Sequence, residues 1–327
     1  MSCVEQDITS PPIFHKEIEA EVNIINSDET IIPYPKAICV DSSYIYVLSL
    51  MDNQWIHIYD KKNGKYINSC IKRGKGPGEV TLASNMQIDK KTGLISLFDG
   101  GRMKHLTFKK DTQKDVPDFQ LEGEKELIKH AKIIRRSWHL KNNCYLVDGQ
   151  LEETDSPQRF QLLCQDSIIS TYNPLPANSE TSLSVYLGAH VTISPDAKKM
   201  AAGTLYGGGL EVFDLQEGIQ NVSTQTFYTP KYPSPENSSK GMFETPFCFT
   251  DITSTNEYIY GIWNGCLDPN SNSNIIVFDW KGNGIVKCIT NKLIVKSCVF
   301  GNNIYAIAFD EEKGFYFVTL DTSQWGL

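Results

Sequence analysis

The sequence predicts an all-β fold, a six-bladed β-propeller with four-stranded antiparallel blades. Three observations lead there. Short runs rich in aromatic and β-branched residues recur along the whole chain, separated by polar turns. One strand per unit, marked by Tyr46, Ile95, Leu146, Ala201, Tyr260 and Tyr305, returns about every 50 residues. No segment sustains a helical period. Four-stranded repeats of that length are the units of radial β architectures.

The units justify this in order. In the first, Tyr44–Ser49 and Trp55–Tyr59 flank the polar turn Asp52-Asn53-Gln54, and Asp60–Gly64 ends in the Asn-Gly pair that a tight turn needs. In the second, Gly93–Phe98 leads through Asp99–Arg102 to Met103–Phe108. The third pairs Cys144–Val147 with Arg159–Cys164, and the fourth pairs Lys199–Gly203 with Leu210–Asp214. The fifth pairs Tyr258–Trp263 with Ile275–Asp279, and the sixth pairs Asn303–Ala308 with Phe315–Asp321. Residues Glu122–Ile134, rich in Glu and Lys, read as a loop or at most a short helix.

The sixth unit ends just after its third strand. An open sheet edge would leave unpaired backbone groups. The partly alternating segment Ile13–Val22 is therefore expected to supply the outer strand that closes the ring. The domain reading is a flexible tail over 1–11 and one propeller over 12–327.

Composition bounds the function. The 327 residues carry a formal net charge of -8, which disfavours nucleic-acid and anionic-membrane partners. No apolar run is long enough to span a bilayer, and no signal peptide is visible at the N-terminus. The nine cysteines show no Cys-x-x-Cys spacing and mostly lie in apolar runs, so they read as buried free thiols. The six histidines show no metal-ligand spacing. The acidic runs match no EF-hand, and no nucleophile elbow is present. Neither a cofactor nor a metal is expected.

Two motifs carry a family resemblance. Thr192–Ala201 contains Ser194-Pro195-Asp196-Ala197-Lys198, which resembles the Ser-Pro-Asp-Gly-Lys turn of TolB-type propellers, with Ala197 in the glycine position. Gly74-Lys75-Gly76-Pro77-Gly78-Glu79 resembles a loop of TolB-like six-bladed propellers common in Bacteroides-type bacteria. The Trp-Asp signature is absent, the nearest pairing being the reversed Asp279-Trp280, and the kelch double glycine appears only at Gly100-Gly101 and Gly207-Gly208. The resemblance implies an envelope protein, often a lipoprotein, with no assigned activity. It makes Cys3 a candidate lipidation site, and hence a lipid anchor.

The glycine loop is not a phosphate-binding P-loop, because the Gly-Lys-Ser/Thr ending is missing. Its expected role is to carry the chain from one blade to the next, with Arg73, Lys75 and Glu79 as candidate ligand contacts. In propellers such loops share a face with those between second and third strands. That face, at the channel mouth, is expected to add Arg102, Arg159, His190, Tyr206, Trp263 and Asn264. This cationic and aromatic set suits a carboxylate- or sugar-bearing ligand. The expected function is non-enzymatic binding of a small molecule, glycan or protein in the cell envelope. The alternative is a metal-dependent hydrolase of the lactonase type, which would need inward carboxylates or amides; the inner strands offer Asp89 and Asp251.

Overall fold

The computed structural model describes residues 12–25, 30–114, 116–127, 133–150, 159–173, 189–228 and 245–327. The tail 1–11 with Cys3 lies outside these residues, as does the acidic run Glu152–Asp155. Two short strands come first, β1 (Lys16–Glu19) and β2 (Asn23–Ile24). Blade one is β3 (Pro35–Val40), β4 (Tyr44–Ser49), β5 (Gln54–Asp60) and β6 (Tyr66–Lys72). Blade two is β7 (Ala83–Ile88), β8 (Ile95–Asp99), β9 (Lys104–Lys110) and β10 (Phe119–Glu126). Blade three is β11 (Ile133–His139), β12 (Cys144–Gln150), β13 (Phe160–Cys164) and β14 (Ser167–Tyr172). Blade four is β15 (His190–Ile193), β16 (Lys199–Gly203), β17 (Gly209–Asp214) and β18 (Gln220–Thr226). Blade five is β19 (Phe249–Ser254), β20 (Tyr258–Trp263), β21 (Asn274–Asp279) and β22 (Gly284–Ile289). Blade six is β23 (Leu293–Phe300), β24 (Asn303–Asp310) and β25 (Gly314–Asp321), followed by a 3-10 turn at Thr322–Trp325. The fold is the all-β six-bladed propeller that the repeats predict, with antiparallel pairing within each blade.

The chain forms two compact units. The larger holds blades one to three and most of blade six. Its second and third strands are buried on both faces, so Tyr46, Leu48, Trp55 and Ile58 pack with Ile95, Leu97, Leu106 and Phe108 in one core. The smaller holds blades four and five and β1. There Leu210, Val212, Phe249, Ile259 and Phe278 form the core. Asp side chains close the hairpin turns. Asp60 accepts hydrogen bonds from the Lys62 and Asn63 amides, at 2.8 and 3.2 Å, and Gly64 adopts φ 68°. Asp89 closes the next turn in the same way.

The N-terminal segment closes blade six, but through different residues from those expected. The fourth strand of that blade is β2, whose Asn23 and Ile24 pair with Thr319 and Val318 of β25. Most of Ile13–Val22 serves blade five instead. Strand β1 runs parallel to β22, Lys287 pairs with Glu17 at 2.7 Å, and Phe14 meets Phe278 edge to face at 5.4 Å. Its apolar alternation comes from that packing.

Two further expectations are corrected. Residues 119–126 form the outer strand β10, not a loop or helix. One face of an outermost strand is wet, so a Glu- and Lys-rich stretch suffices; Lys104 pairs with Glu124 across the sheet at 2.7 Å. Cys144 and Cys164, read as free thiols, form a disulfide. They lie directly opposite each other on β12 and β13, a register that spacing alone does not reveal. Cys70, Cys248 and Cys288 are free and buried, as expected.

Candidate functional site

The glycine loop folds around its own glutamate. The Gly76 amide donates to Glu79 Oε2 at 2.8 Å, and the Gly74 amide donates to the Val80 carbonyl at 3.0 Å. A Cβ on Gly74 would fall 2.1 Å from Glu79 Oε2. That collision, and φ 73° at Gly78, explain the glycine content. Arg73 lies 3.8 Å above the Trp55 ring and donates to the Leu50 and Asp52 carbonyls, at 2.9 and 3.2 Å. Trp55 in turn donates from Nε1 to the Val80 carbonyl at 2.7 Å. Lys75 is exposed at the loop tip.

Arg102 braces the loop from blade two. It donates to Asp99 at 2.7 Å and to the Glu79 carbonyl. Asp99 also accepts from the Thr81, Leu82 and Gly101 amides, at 2.9, 3.0 and 3.1 Å. Burial alone would raise the Asp99 carboxyl, but these bonds, with those from the Thr81 hydroxyl and Arg102, hold it below its ordinary value. Arg73, Glu79 and Arg102 thus hold the loop together. Between β6 and β10 the loop walls a groove of about 550 Å³, lined by Gln54, Cys70, Ile71, Lys72, Glu79 and Phe119 among others.

The remaining candidates are scattered. Arg159 is buried, with its guanidinium 4.7 Å from the Phe160 ring. In the smaller unit, His190 Nδ1 on β15 sits 3.6 Å from Asp251 Oδ1 on β19. Tyr206 contacts Phe247 at 5.3 Å between ring centroids. Trp263 stacks on Phe227 at 5.7 Å. Asn264 braces a turn, accepting from the Cys266 amide at 2.8 Å and donating to the Asp268 carbonyl at 3.2 Å. His190 and Asp251 meet across adjacent inner strands, whereas Asp89 serves its turn.

A different set comes together on the inner strands of the larger unit. Lys36 on β3 is half-buried, and its ammonium donates to the Ala83 carbonyl on β7 at 3.0 Å. Arg136 on β11 and Lys296 on β23 lie within charge reach of it. Burial, then Arg136, then Lys296 push the Lys36 ammonium down to about 8. Beside them, Arg135 and Arg136 grip the buried Asp148 carboxylate, one on each oxygen, at 2.5 and 2.6 Å. Burial opposes ionisation of Asp148, but the two guanidiniums hold its carboxyl below the ordinary range. Sequence reasoning missed this set. One signal was present: adjacent Arg135 and Arg136 lie in a strand, where neighbours normally face opposite sides. A register shift between Ile134 and Arg136 is what lets both reach one acid.

Burial holds His57, His105 and His139 toward neutrality. His105 Nδ1 lies 2.9 Å from the Ser137 hydroxyl, and burial, then His139, lower it to about 3. Among the described residues, no group of three His, Cys, Asp or Glu is disposed to hold a metal ion. Among them, too, no helix is long and apolar enough to cross a membrane.

Known structures share this fold. A candidate exported protein from Bacteroides fragilis NCTC 9343 matches at TM-score 0.56 and 12% identity, over 93% of this chain and 98% of its own. A luciferin-regenerating enzyme matches at 0.52 and 12%, over 93% and 96%. Regucalcin from Agrobacterium tumefaciens str. C58, a calcium-binding protein, matches at 0.51 and 10%, over 94% and 97%. At these identities the likeness concerns the fold alone. No curated protein sequence matches the chain. The family model described as TolB-like 6-blade propeller-like matches residues 13–302, and the chain belongs to that family.

Proposed function

We propose that this protein is a non-enzymatic binding propeller of the bacterial cell envelope, with its ligand site on the face that carries the glycine loop. One observation carries the choice of binding over hydrolysis. The acids a hydrolytic metal site would draw on are committed elsewhere: Asp89 to a turn, Asp99 to the glycine loop, Asp148 to two arginines and Asp251 to His190. The inner strands of the larger unit gather cations instead, which repel a divalent metal. The luciferin-regenerating enzyme and regucalcin share the propeller, but catalysis depends on a site and not on a fold.

The envelope reading draws on two features. The Cys144–Cys164 disulfide suits an oxidising compartment. A structural neighbour of the same fold is a candidate exported protein. Lipidation at Cys3 completes the proposal, after processing that makes this cysteine the first residue. Mass spectrometry of the envelope-derived protein should find a lipidated Cys3, and Cys3→Ala should release the protein from membranes. The functional test is a thermal-shift screen over organic acids, glycans and peptides, run beside ester and lactone hydrolysis assays with Ca²⁺, Mn²⁺ and Zn²⁺. Ligand-dependent stabilisation without turnover is expected. Metal-dependent turnover would refute the binding reading.

A further inference from the structure

The groove beside the glycine loop is bounded at both ends, and we propose that it binds a small neutral sugar, a mono- or disaccharide. The inference rests on the binding reading above and names its ligand class.

Two outer strands of the larger unit form the walls. Residues 69–72, on β6, line one side, and residues 118–121, at the start of β10, line the other. Contacts between blades one and two cross each end. At one end Asn68 on β6 donates from Nδ2 to the Pro117 carbonyl at 3.0 Å. At the other the glycine loop reaches β10, where a Cβ on Gly78 would lie 3.7 Å from the Leu121 Cβ. Four extended residues on each side give the groove a length of about 13 Å. Its volume of about 550 Å³ falls within the range of small-molecule sites. The closed ends admit a short ligand and exclude the middle of a polymer. Backbone strain marks the same place. Successive strand residues normally face opposite sides, yet Cys70 and Ile71 both line the groove, and Ile71 holds φ 61°. That region is unfavourable for a β-branched residue, and strain of this kind concentrates at ligand sites.

The lining selects the ligand. Cys70, Ile71 and Phe119 are buried and give the groove an apolar floor. The rim is polar. Gln54 lies directly opposite Lys72 in the β5–β6 register, which sets an amide beside an ammonium. Gln54 Oε1 is buried and accepts no hydrogen bond from the described residues, so the amide gains a partner when it turns toward a ligand hydroxyl. Glu79 is fixed by the Gly76 amide, and Asp118 is paired with Lys114. Lys72, Glu79 and the Asp118–Lys114 pair together carry no net charge, so the groove offers little field to hold a bare anion or cation. A sugar ring answers both parts of the lining. Its C–H face lies on the apolar floor, and its hydroxyls donate and accept at the rim. A wholly apolar ligand would leave the rim groups without partners.

The test is isothermal titration of the intact chain with glucose, galactose, mannose, N-acetylglucosamine, maltose, cellobiose and lactose. Inorganic phosphate and glycine serve as charged controls. At least one saccharide is expected to bind with Kd below about 1 mM, and neither control is. Leu121→Trp fills the groove from its blade-two side and should weaken saccharide binding at least about tenfold. Gln54→Leu removes the amide at similar size and should weaken it by about threefold or more. Circular dichroism checks that each variant folds; if Leu121→Trp does not, Gln54→Leu decides. No heat from any saccharide at about 10 mM, affinity unchanged in the variants, or equal binding of phosphate or glycine overturns the inference. An organic acid or peptide found in the thermal-shift screen would then leave the binding reading standing. Turnover of an ester or lactone would remove that reading itself.

Discussion

Single residues of this propeller trade stability for charge placement. Lys36 is the clearest case. Its folded pKa lies near 8, below the ordinary 10.5, so the native state binds its proton less tightly than the unfolded chain. Stability should then rise as pH climbs from about 8 to 10.5, and the penalty should be present in full below 8. Lys36→Met should stabilise the ligand-free protein at pH 7 by about 1–2 kcal/mol, after discounting for solvent screening, and should flatten that alkaline rise. Urea unfolding as a function of pH checks both. Asp148 behaves in the opposite sense. Its folded pKa is depressed, so it contributes stability above its unfolded value, which is lost as pH falls through the folded one. Asp148→Asn should cost about 3–5 kcal/mol at pH 7, because two guanidiniums lose their counter-charge. Neither residue stood out in the sequence. Lys36 reads as an ordinary polar residue at a strand start. Only the meeting of strands distant in the chain gives it neighbours of like charge.

Turns and loops were the most legible elements, because their residue types answer local backbone demands. The Asn63-Gly64 turn and the Ser194–Lys198 turn fall where the residues place them, the latter joining β15 to β16. Ala197 holds φ 61° where the family motif has glycine. Ala197→Gly should therefore stabilise the protein by about 0.5–1 kcal/mol, read as a shift in urea midpoint. The glycine loop invites the reverse experiment. Gly74→Ala pushes the Glu79 carboxylate off the Gly76 amide and should destabilise by about 0.5–1.5 kcal/mol, the worth of that hydrogen bond. Adding Glu79→Ala should recover part of the loss, and a double-mutant cycle measures how much. Less legible were elements whose character is set by a neighbour. Strand β10 is polar because it is outermost, and polarity without alternation resembles a loop. The disulfide was hidden for a related reason: Cys144 and Cys164 are opposed only once the β12–β13 register is known.

At the scale of the whole molecule, a repeat of about 50 residues was enough to reveal six blades, since each must bury both faces of its sheet. A ligand-bearing surface is harder to read in a propeller, because it would draw on residues far apart in the sequence. Arg73, Glu79 and Arg102 have the composition of a binding face but hold a loop in shape. The N-terminal segment serves two blades, through Phe14 and β1 on one and β2 on the other. Deleting residues 1–24 should lower the melting temperature by at least about 5 °C, as measured by calorimetry. The β2–β25 pairing also sets an order of events. Asn23 and Ile24 leave the ribosome about 295 residues before their partners Thr319 and Val318. Blade six can acquire its fourth strand only after β25 has been made. A ribosome stalled before residue 318 should hold a chain in which Asn23 and Ile24 are open to protease, and emergence of β25 should protect them.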